Sequence, residues 1–320
     1  MATPLIIDTD PGIDDALAIM MAHAHADVVA LTIAGGNVGL AHTTRNALKL
    51  IETIGADIPV FPGCASPLVF DAPDARFVHG ADGFGDTGYS PSTRLPEEEH
   101  AASAIVRFAR ERPGELTLVA LAPLTNLALA LRLDPSLPQR VARLVVMGGA
   151  VNGRGNTERV PAEFNIGFDP EAAHVVFSAW PQFDLVDWEA CLRHTFDFER
   201  FDAMLAACDG RARFYAAISR KTRAFNRVRG RPGVVAADGL AMAVALAPDI
   251  VVRAEARHVA IETTGALTRG ATVVDWEGRL GRPANARIVL EVDQARFEAL
   301  AASALGAGPA MPGRGSADPR

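Results

Sequence analysis

The sequence predicts a single α/β domain with a mainly parallel central sheet flanked by helices and an active site at the C-terminal ends of the strands. Three observations predict it. Short uninterrupted apolar runs, such as Leu5-Ile6-Ile7 and VVALTIA at 28–34, alternate with stretches of helical periodicity. Runs without polar alternation suit strands covered on both faces, as in a parallel sheet. Hydrophobic residues make up 49% of the 320 residues and charged residues 22%, which fits a large core. Polar clusters follow directly after apolar runs, where ligands bind in open α/β sheets.

In chain order, residues 5–7 read as a strand, Ile13–His25 as a helix with Asp14 and Asp15 in its first turn, and 28–34 as a second strand. A Gly-Gly turn leads to a helix over 43–53. Residues 96–110 read as a helix opened by Glu97-Glu98-Glu99, because acidic side chains suit the positive end of a helix dipole. Strands at 116–121, 144–147 and 183–186 alternate with helices at 123–131 and 170–180. Helices follow at 199–207, 212–225 and 239–246, then strands at 251–262, 271–275 and 286–292, and a closing helix at 297–305. No repeat or linker interrupts the chain, so 1–305 is taken as one domain. Residues 306–320 are rich in Gly, Pro and Ala without periodicity and are expected to form a disordered tail. Two long polar loops, 62–96 and 148–169, are expected to carry function.

The formal net charge of −7 argues against nucleic acid as a partner, since no excess of Lys and Arg is available to displace phosphate counterions. The local basic stretch from Arg220 to Arg231 reads as a surface or interface segment. No run of about 18 apolar residues is present, so no membrane span is expected. The apolar run after Met1 is short and ends in aspartates, a buried strand and not a signal peptide. Cys64, Cys191 and Cys208 are odd in number and far apart, which points to a reduced, cytoplasmic protein without a disulfide framework or zinc site.

The strongest local signal is Asp8-Thr9-Asp10-Pro11-Gly12-Ile13-Asp14-Asp15. If the strand continues, Asp8 and Asp10 point to one side. Crowding these carboxylates is costly unless a cation neutralises them, and an all-oxygen set without nearby His or Cys selects a hard cation: Ca²⁺, Mg²⁺ or Mn²⁺. Helix capping and dipole compensation would explain Asp14 and Asp15 but not all four aspartates. A second polar cluster, Glu163-Phe164-Asn165, follows Met147-Gly148-Gly149 and a loop containing Asn156. Asn and Glu can both serve sugar hydroxyls, yet a turn-rich loop has the same composition. Asp169-Pro170 reads as a helix start, and Asp238 as the N-cap of the helix that follows it.

Together these stretches resemble the nucleoside hydrolase family of the inosine-uridine-preferring type. The resemblance rests on DTDPGIDDA at 8–16, TIAGGNVGL at 32–40, HGADGFG at 79–85, ALAPLTNLALAL at 120–131, VVMGGA at 145–150, AEFNIGFDPEAA at 162–173 and ADGLAMAVAL at 237–246. They occur in the family's order over most of residues 5–250, and the first block is highly specific. The resemblance implies calcium-dependent hydrolysis of the N-glycosidic bond of ribonucleosides to ribose and free base, serving purine or pyrimidine salvage. It implies one Ca²⁺ held by Asp10, Asp15, Asp238 and the Leu121 carbonyl, with a metal-bound water activated by Asp10 as general base. By the same matching, Asp14 grips the ribose 2′-hydroxyl, Asn37, Asn156, Glu163 and Asn165 bind ribose, and Met147 and Phe164 line the sugar pocket. Relatives are commonly oligomeric, so a homodimer or homotetramer is expected.

The chain departs from that pattern at Ala237, where many members carry a His associated with protonating the leaving purine. His79 matches another pocket His and is the remaining candidate to contact the base or shuttle a proton; a loop surface His is the other reading. Trp188, with Phe84, is a candidate to stack the base, and an ordinary core or interface Trp is the alternative. Base preference stays open. A DTD sequence after a first strand also occurs in haloacid-dehalogenase-type phosphatases, but those require a small Gly-Thr turn where this chain has Pro-Gly-Ile-Asp-Asp. A non-catalytic ribose-binding protein is the third alternative, which Ala237 would suit.

Overall fold

The first strand, β1 (Pro4–Thr9), sends Leu5 and Ile7 into one apolar layer and Ile6 into another. The period-two alternation of apolar side chains therefore demands helices on both faces of the sheet. The computed structural model describes residues 3–207 and 209–307. After β1 come α1 (Ile13–His25), β2 (Asp27–Ile33), α2 (Leu40–Ile54), β3 (Val60–Pro62), α3 (Arg76–His79) and α4 (Ala101–Glu111). Next are β4 (Thr117–Ala120), α5 (Thr125–Leu133), α6 (Leu137–Arg140), β5 (Arg143–Met147), α7 (Phe164–Phe168), α8 (Pro170–Ala179) and β6 (Phe183–Val186). The chain continues through α9 (Trp188–Arg193), β7 (Phe196–Asp197), α10 (Phe198–Leu205), α11 (Gly210–Val228), β8 (Gly233–Val234) and α12 (Ala237–Leu246). It ends with β9 (Val251–Ile261), β10 (Thr272–Asp275), β11 (Ala286–Val292) and α13 (Gln294–Ala304).

The main sheet has nine strands in the order β10-β9-β11-β6-β5-β4-β1-β2-β3. From β3 to β11 all neighbours are parallel; β9 and β10 add antiparallel pairs at one edge. Strand β1 has β2 on one side and β4 on the other, so the winding reverses there. Such a switch point opens a crevice at the strands' carboxyl ends, and Asp8 to Asp10 stand at it.

Two helices fix the floor of that crevice. Helix α1 is apolar nearly all round and buried from Asp15 to Ala22, and α12 is buried from Ala237 to Ala245. Helices of this kind belong in the interior. They pack side by side: a Cβ on Gly239 would lie 3.4 Å from Leu17 Cδ2 and 3.7 Å from Met21 Sδ. Their N-termini therefore meet, one carrying Asp14 and Asp15, the other Asp238.

Some boundaries differ from the sequence expectation. The acidic run Glu97–Glu99 lies before α4, whose N-cap is His100, with its Nδ1 accepting from Ala102 N at 3.2 Å. Glu97 N donates instead to Val60 O, and Glu99 pairs with Arg107 at 2.7 Å, so this run serves an edge strand and an arginine and not a dipole. Helix α2 begins at Leu40, and β3 and the short helices α3 and α7 lie in stretches read as loop. Cys64 and Cys191 are free thiols, while Cys208 and the tail from 308 onward lie outside the described residues.

Candidate active site

The site is built first from the turn that ends β1. The strand stops at Thr9, so Asp8 and Asp10 do not share a side as a continued strand would require. Asp8 is turned toward α5 and β2: its Oδ1 accepts from Asn126 Nδ2 at 2.9 Å and from Thr32 Oγ1 at 2.7 Å, and burial pushes its carboxyl up to about 7. Asp10 lies past the strand, its Oδ2 accepting from Asn37 N at 2.6 Å. Asp15 is held from three sides. Thr9 Oγ1 donates to Oδ1 at 2.5 Å, and Gly12 N and Asn37 Nδ2 donate to Oδ2 at 2.9 and 3.0 Å. Gly36 must be glycine, because a Cβ there would collide with Asp10 Oδ2, and one on Gly12 would come within 2.5 Å of His79 Nδ1.

Carboxylate oxygens of Asp14, Asp15 and Asp238 lie within 4.8 Å of one another, and the three can hold a metal ion. Asp238 is the second residue of α12 and not its N-cap, so its carboxyl is free to face α1. Burial first, and the neighbouring aspartates second, push Asp10 and Asp238 well above the usual carboxylate range; burial holds Asp14 near about 6. The charged neighbours of Asp10 and Asp238 are other aspartates, not Lys or Arg. Buried like charges without a cationic side chain are unfavourable unless they share protons or a cation. The donors are oxygens only, so the residues present fit a hard divalent cation.

One wall comes from the loop after β3. His79 ends α3, is buried, and accepts from Ile13 N at 3.1 Å through Nδ1. That bond places the ring proton on Nε2, and burial lowers its pKa to about 4, so the ring is neutral near pH 7. Asn46 ties this wall to the turn by donating to Pro11 O at 2.8 Å and Asp82 O at 2.9 Å. Phe84, read as a partner ring for a bound base, is fully buried against Tyr89 and Phe214 at 5.4 and 5.8 Å. It belongs to the core, because the Gly83 and Gly85 turns direct the ring inward.

The opposite wall gathers Leu121, Met147, Glu163 and Asn165. Glu163 caps α7, its Oε1 accepting from Asn165 N at 3.0 Å and its Oε2 from Gly149 N and Ile166 N at 2.9 and 3.2 Å. Burial pushes it up to about 7 in spite of these donors. Asn165 Nδ2 donates to Leu121 O at 2.8 Å and Met147 O at 3.3 Å, which leaves a lone pair on the Leu121 carbonyl. Phe164 is half-buried and lies 5.7 Å from Phe168. Asn156 stands exposed on the loop, with only its backbone N–H held, by Ala162 O at 3.2 Å. Trp188 starts α9, is buried, and donates its backbone N–H to Gly149 O at 2.9 Å. Asp169 caps α8 as expected, accepting from Ala172 N at 3.0 Å.

Three contributors were not singled out from sequence. Thr9 is a strand residue by pattern, and only its bond to Asp15 gives it a role. Glu189 accepts from Asn152 N and Arg154 N, both at 3.0 Å, and from Asn152 Nδ2 at 2.5 Å, strapping the 148–163 loop to α9. Arg231, grouped in a surface stretch, lies with its guanidinium over the Trp188 ring at 5.1 Å. An acidic pair flanking a Trp after a strand end, Asp187-Trp188-Glu189, was the available signal for Glu189.

Known proteins share this architecture. Residues 5–299 match the family described as inosine-uridine preferring nucleoside hydrolase. The chain is 38% identical to the non-specific ribonucleoside hydrolase RihC of Salmonella enteritidis PT4 over 294 residues, 90% of this chain and 93% of that protein. It is 37% identical to the protein of the same name from Klebsiella pneumoniae over 311 residues, 97% of this chain and 100% of the other. Among solved structures, an inosine-guanosine nucleoside hydrolase superposes with a TM-score of 0.90 at 34% identity, covering 96% of this chain and 99% of that one. The plant nucleoside hydrolase PpNRh1 gives 0.89 at 31%, covering 95% and 99%. With that match running from the first strand to the last helix, through every element that builds the acidic crevice, the chain belongs to the inosine-uridine preferring nucleoside hydrolase family.

Proposed function

We propose that this protein hydrolyses the N-glycosidic bond of ribonucleosides with a Ca²⁺ in the acidic crevice, releasing ribose and free base. The observation that carries the reading is the cluster of half-buried Asp14 with buried Asp15 and Asp238, set at the sheet's switch point with no Lys or Arg paired to it among the described residues. Asp10, Asp15, Asp238 and the Leu121 carbonyl would hold the cation, a number of protein oxygens that suits Ca²⁺ better than Mg²⁺. When bound, the cation neutralises the cluster and supplies Lewis acidity to the attacking water.

The chain's own groups do the rest. Asn37 fixes Asp10 through Oδ2, orienting that carboxylate to accept the water's proton. Asp14, at the front of α1 and only half-buried, would grip the 2′-hydroxyl. Asn37, Glu163 and Asn165, with Asn156 closing over from its loop, hold the ribose, and Met147 and Phe164 pack against it. Breaking C1′–N builds positive charge on the ribose ring, which the surrounding carboxylates stabilise. A site organised around two ribose hydroxyls rejects 2′-deoxyribonucleosides, since their loss leaves buried polar groups unpaired. His79 contributes a neutral Nε2–H donor, and Trp188 a ring at the base side. A homodimer or homotetramer in the cytoplasm is part of this reading; Cys64 and Cys191 are free thiols, as a reduced compartment would keep them.

The test is ribose release from inosine, adenosine, guanosine, uridine, cytidine and 2′-deoxyinosine, with and without Ca²⁺, beside Asp10→Ala. Release from ribonucleosides that requires Ca²⁺ and Asp10, and is absent for deoxyinosine, is expected. Binding of ribose and Ca²⁺ without release from any substrate would make the protein a binder and overturn the hydrolase reading.

A further inference from the structure

The two edges of the main sheet are finished differently. At one edge β3 is three residues long, and Glu97 N donates to its Val60 O at 2.8 Å. At the other, β9 has eleven residues and β10 only four, which pair with His258–Ile261. The remaining seven residues of β9, Val251–Arg257, pair with β11 on one side and, among the described residues, with no strand on the other. Val252 is 66% exposed, and Arg253 and Ala256 are exposed near it. A long open edge is a template for another strand, and proteins ordinarily shorten or cover such edges.

The backbone groups that face this edge belong to even-numbered residues. Arg257 O accepts from Asn285 N at 3.2 Å, and the Asn285 side chain takes the N–H and C=O of Val259 at 2.8 and 2.9 Å, all on the β11 side. Just past β9, Glu262 faces the other way: its N donates to Ala271 O at 3.0 Å, and its O accepts from Gly270 N at 2.7 Å. Successive strand residues alternate in the direction of their backbone groups, so Ala254 and Ala256 aim N–H and C=O at the open edge. The partner of Ala256 O agrees with this. It is a side chain of the same strand, Arg257 Nη1 at 2.9 Å, standing where the N–H of a neighbouring strand would sit.

We infer that this edge pairs with the same edge of a second copy of the chain, antiparallel across a two-fold axis at Ala254, so that two sheets join into one. The inference extends the homo-oligomer part of the reading above and needs nothing from its hydrolase part. Length and charge select the occupant and the register. The open segment is centred on Ala254, so a two-fold there uses all of it. A two-fold at Ala256 would drive the end of the partner strand into β10. With the axis at Ala254, Arg253 lies opposite the partner's Glu255, and Glu255 opposite the partner's Arg253. Such an interface is isologous, and it gains two opposite-charge pairs on one face of the joined sheet. An axis one residue to either side would set Glu255 against the partner's Glu255, or Arg253 against the partner's Arg253. Charges on an open edge ordinarily keep strands apart; here their order, Arg253, Glu255 and Arg257, repels the adjacent registers and admits this one. Glu291, 3.7 Å from Arg253 on β11, continues the row of alternating charge. On the other face Val252 meets the partner's Ala256, which covers the exposed valine.

The experiment measures the mass of the full chain and its variants by light scattering and sedimentation, and follows amide hydrogen exchange. Wild type is expected to be a dimer or tetramer in which the Ala254 and Ala256 amides exchange slowly. Glu255→Arg places like charges opposite each other and should weaken the association about 10- to 100-fold, read as a halved mass on dilution. Adding Arg253→Glu to it restores opposite charges and should restore the mass. Ala254→Pro removes an N–H that faces only the edge, so the ladder to β11 is kept, and it too should halve the mass. Wild-type mass kept in Glu255→Arg and Ala254→Pro, or fast exchange at Ala254 in a wild-type oligomer, overturns the inference while leaving a homo-oligomer built on another surface. A wild type that stays monomeric up to about 0.1 mM, where specific interfaces hold, overturns both. If Ala254→Pro fails to fold, the charge swap decides. Mass lost in Glu255→Arg and regained in the double variant sustains the inference, and any other pattern overturns it.

Discussion

Replacing Asp238 by Asn should make the metal-free protein more stable while abolishing its activity. Oxygens of Asp14, Asp15 and Asp238 lie within 4.8 Å of one another. At that distance two full charges repel by about 3.5 kcal/mol at an effective dielectric constant of about 20. Asp238→Asn removes two of the three pairs, about 7 kcal/mol for full charges at that separation. Proton uptake lowers it, because the folded carboxyls hold protons more tightly than unfolded ones, with Asp14 near about 6 and burial pushing Asp10 and Asp238 well above the usual carboxylate range. A carboxyl whose folded pKa is raised favours folding when protonated. Its contribution is lost as pH rises from the unfolded pKa, about 4, through the folded one. His79 and His194, whose pKa values are lowered by burial, pull the other way below pH 6.5, so the difference between variant and wild type is the quantity to read. A net gain of roughly 2–4 kcal/mol at pH 8 is expected, which at about 2.1 cal/mol/K per residue means about 3–6 °C. The assay is thermal unfolding of both proteins at pH 5 and pH 8, in chelator and in Ca²⁺. In chelator at pH 8 the variant should melt higher, with the gap closing toward pH 5; in Ca²⁺ the order should reverse, and ribose release should be lost. A variant that melts below wild type in chelator at pH 8 would refute the idea that uncompensated charge strains this crevice.

Gly36→Ala should cost at least about tenfold in kcat with little change in melting temperature, since the new Cβ displaces Asp10 Oδ2 while the backbone there, outside the positive-φ region, suits alanine. Glu189→Gln should raise KM more than it lowers kcat, because an amide cannot accept all three N–H donors of Asn152 and Arg154 and the ribose-side loop loosens; steady-state kinetics separate the two constants. Asp184→Ala leaves Arg143 and Arg287 without their shared partner at the far end of the sheet, and about 3–5 kcal/mol of stability should go while per-molecule activity at low temperature stays.

The fold was legible where pattern and packing agree. Apolar runs such as 5–7 and 144–147 became strands of one parallel sheet because nothing polar interrupts them, and the sheet needs both of their faces. Strand β3 escaped because three residues carry no period, and its place is set by pairing with β2. The Glu97–Glu99 run misled because an acidic triplet suits a helix start, yet here the backbone of Glu97 is taken by Val60 and the helix waits for His100. Within the basic stretch the surface reading holds for Arg223 and Arg227, which pair with Asp202, and fails for Arg231, because what separates it is a neighbour distant in sequence, Trp188.

The site was legible in its acidic half and less so in its supports, and the reason is physical. A carboxylate cluster announces itself in any order of residues, since few folds can bury it without a cation. What holds the cluster is written in residues with innocuous meanings: Thr9, a β-branched strand residue; Gly36, one half of a turn; Gly239, the small residue that lets α12 lie against Leu17 and Met21. Asp238 shows the consequence most sharply. By local sequence it is an N-cap, a role in which its side chain would bond back to its own helix. In the structure the cap position falls to Ala236, which has no side chain to offer, and α12 begins without that bond. Placing the aspartate two residues later gives up a local hydrogen bond at the helix end and gains a third carboxylate for the crevice. A helix start that forgoes its own cap to crowd a third carboxylate against two others is explained by the site and not by the stability of the helix, which is why the Asp238→Asn measurement bears on function and not only on folding.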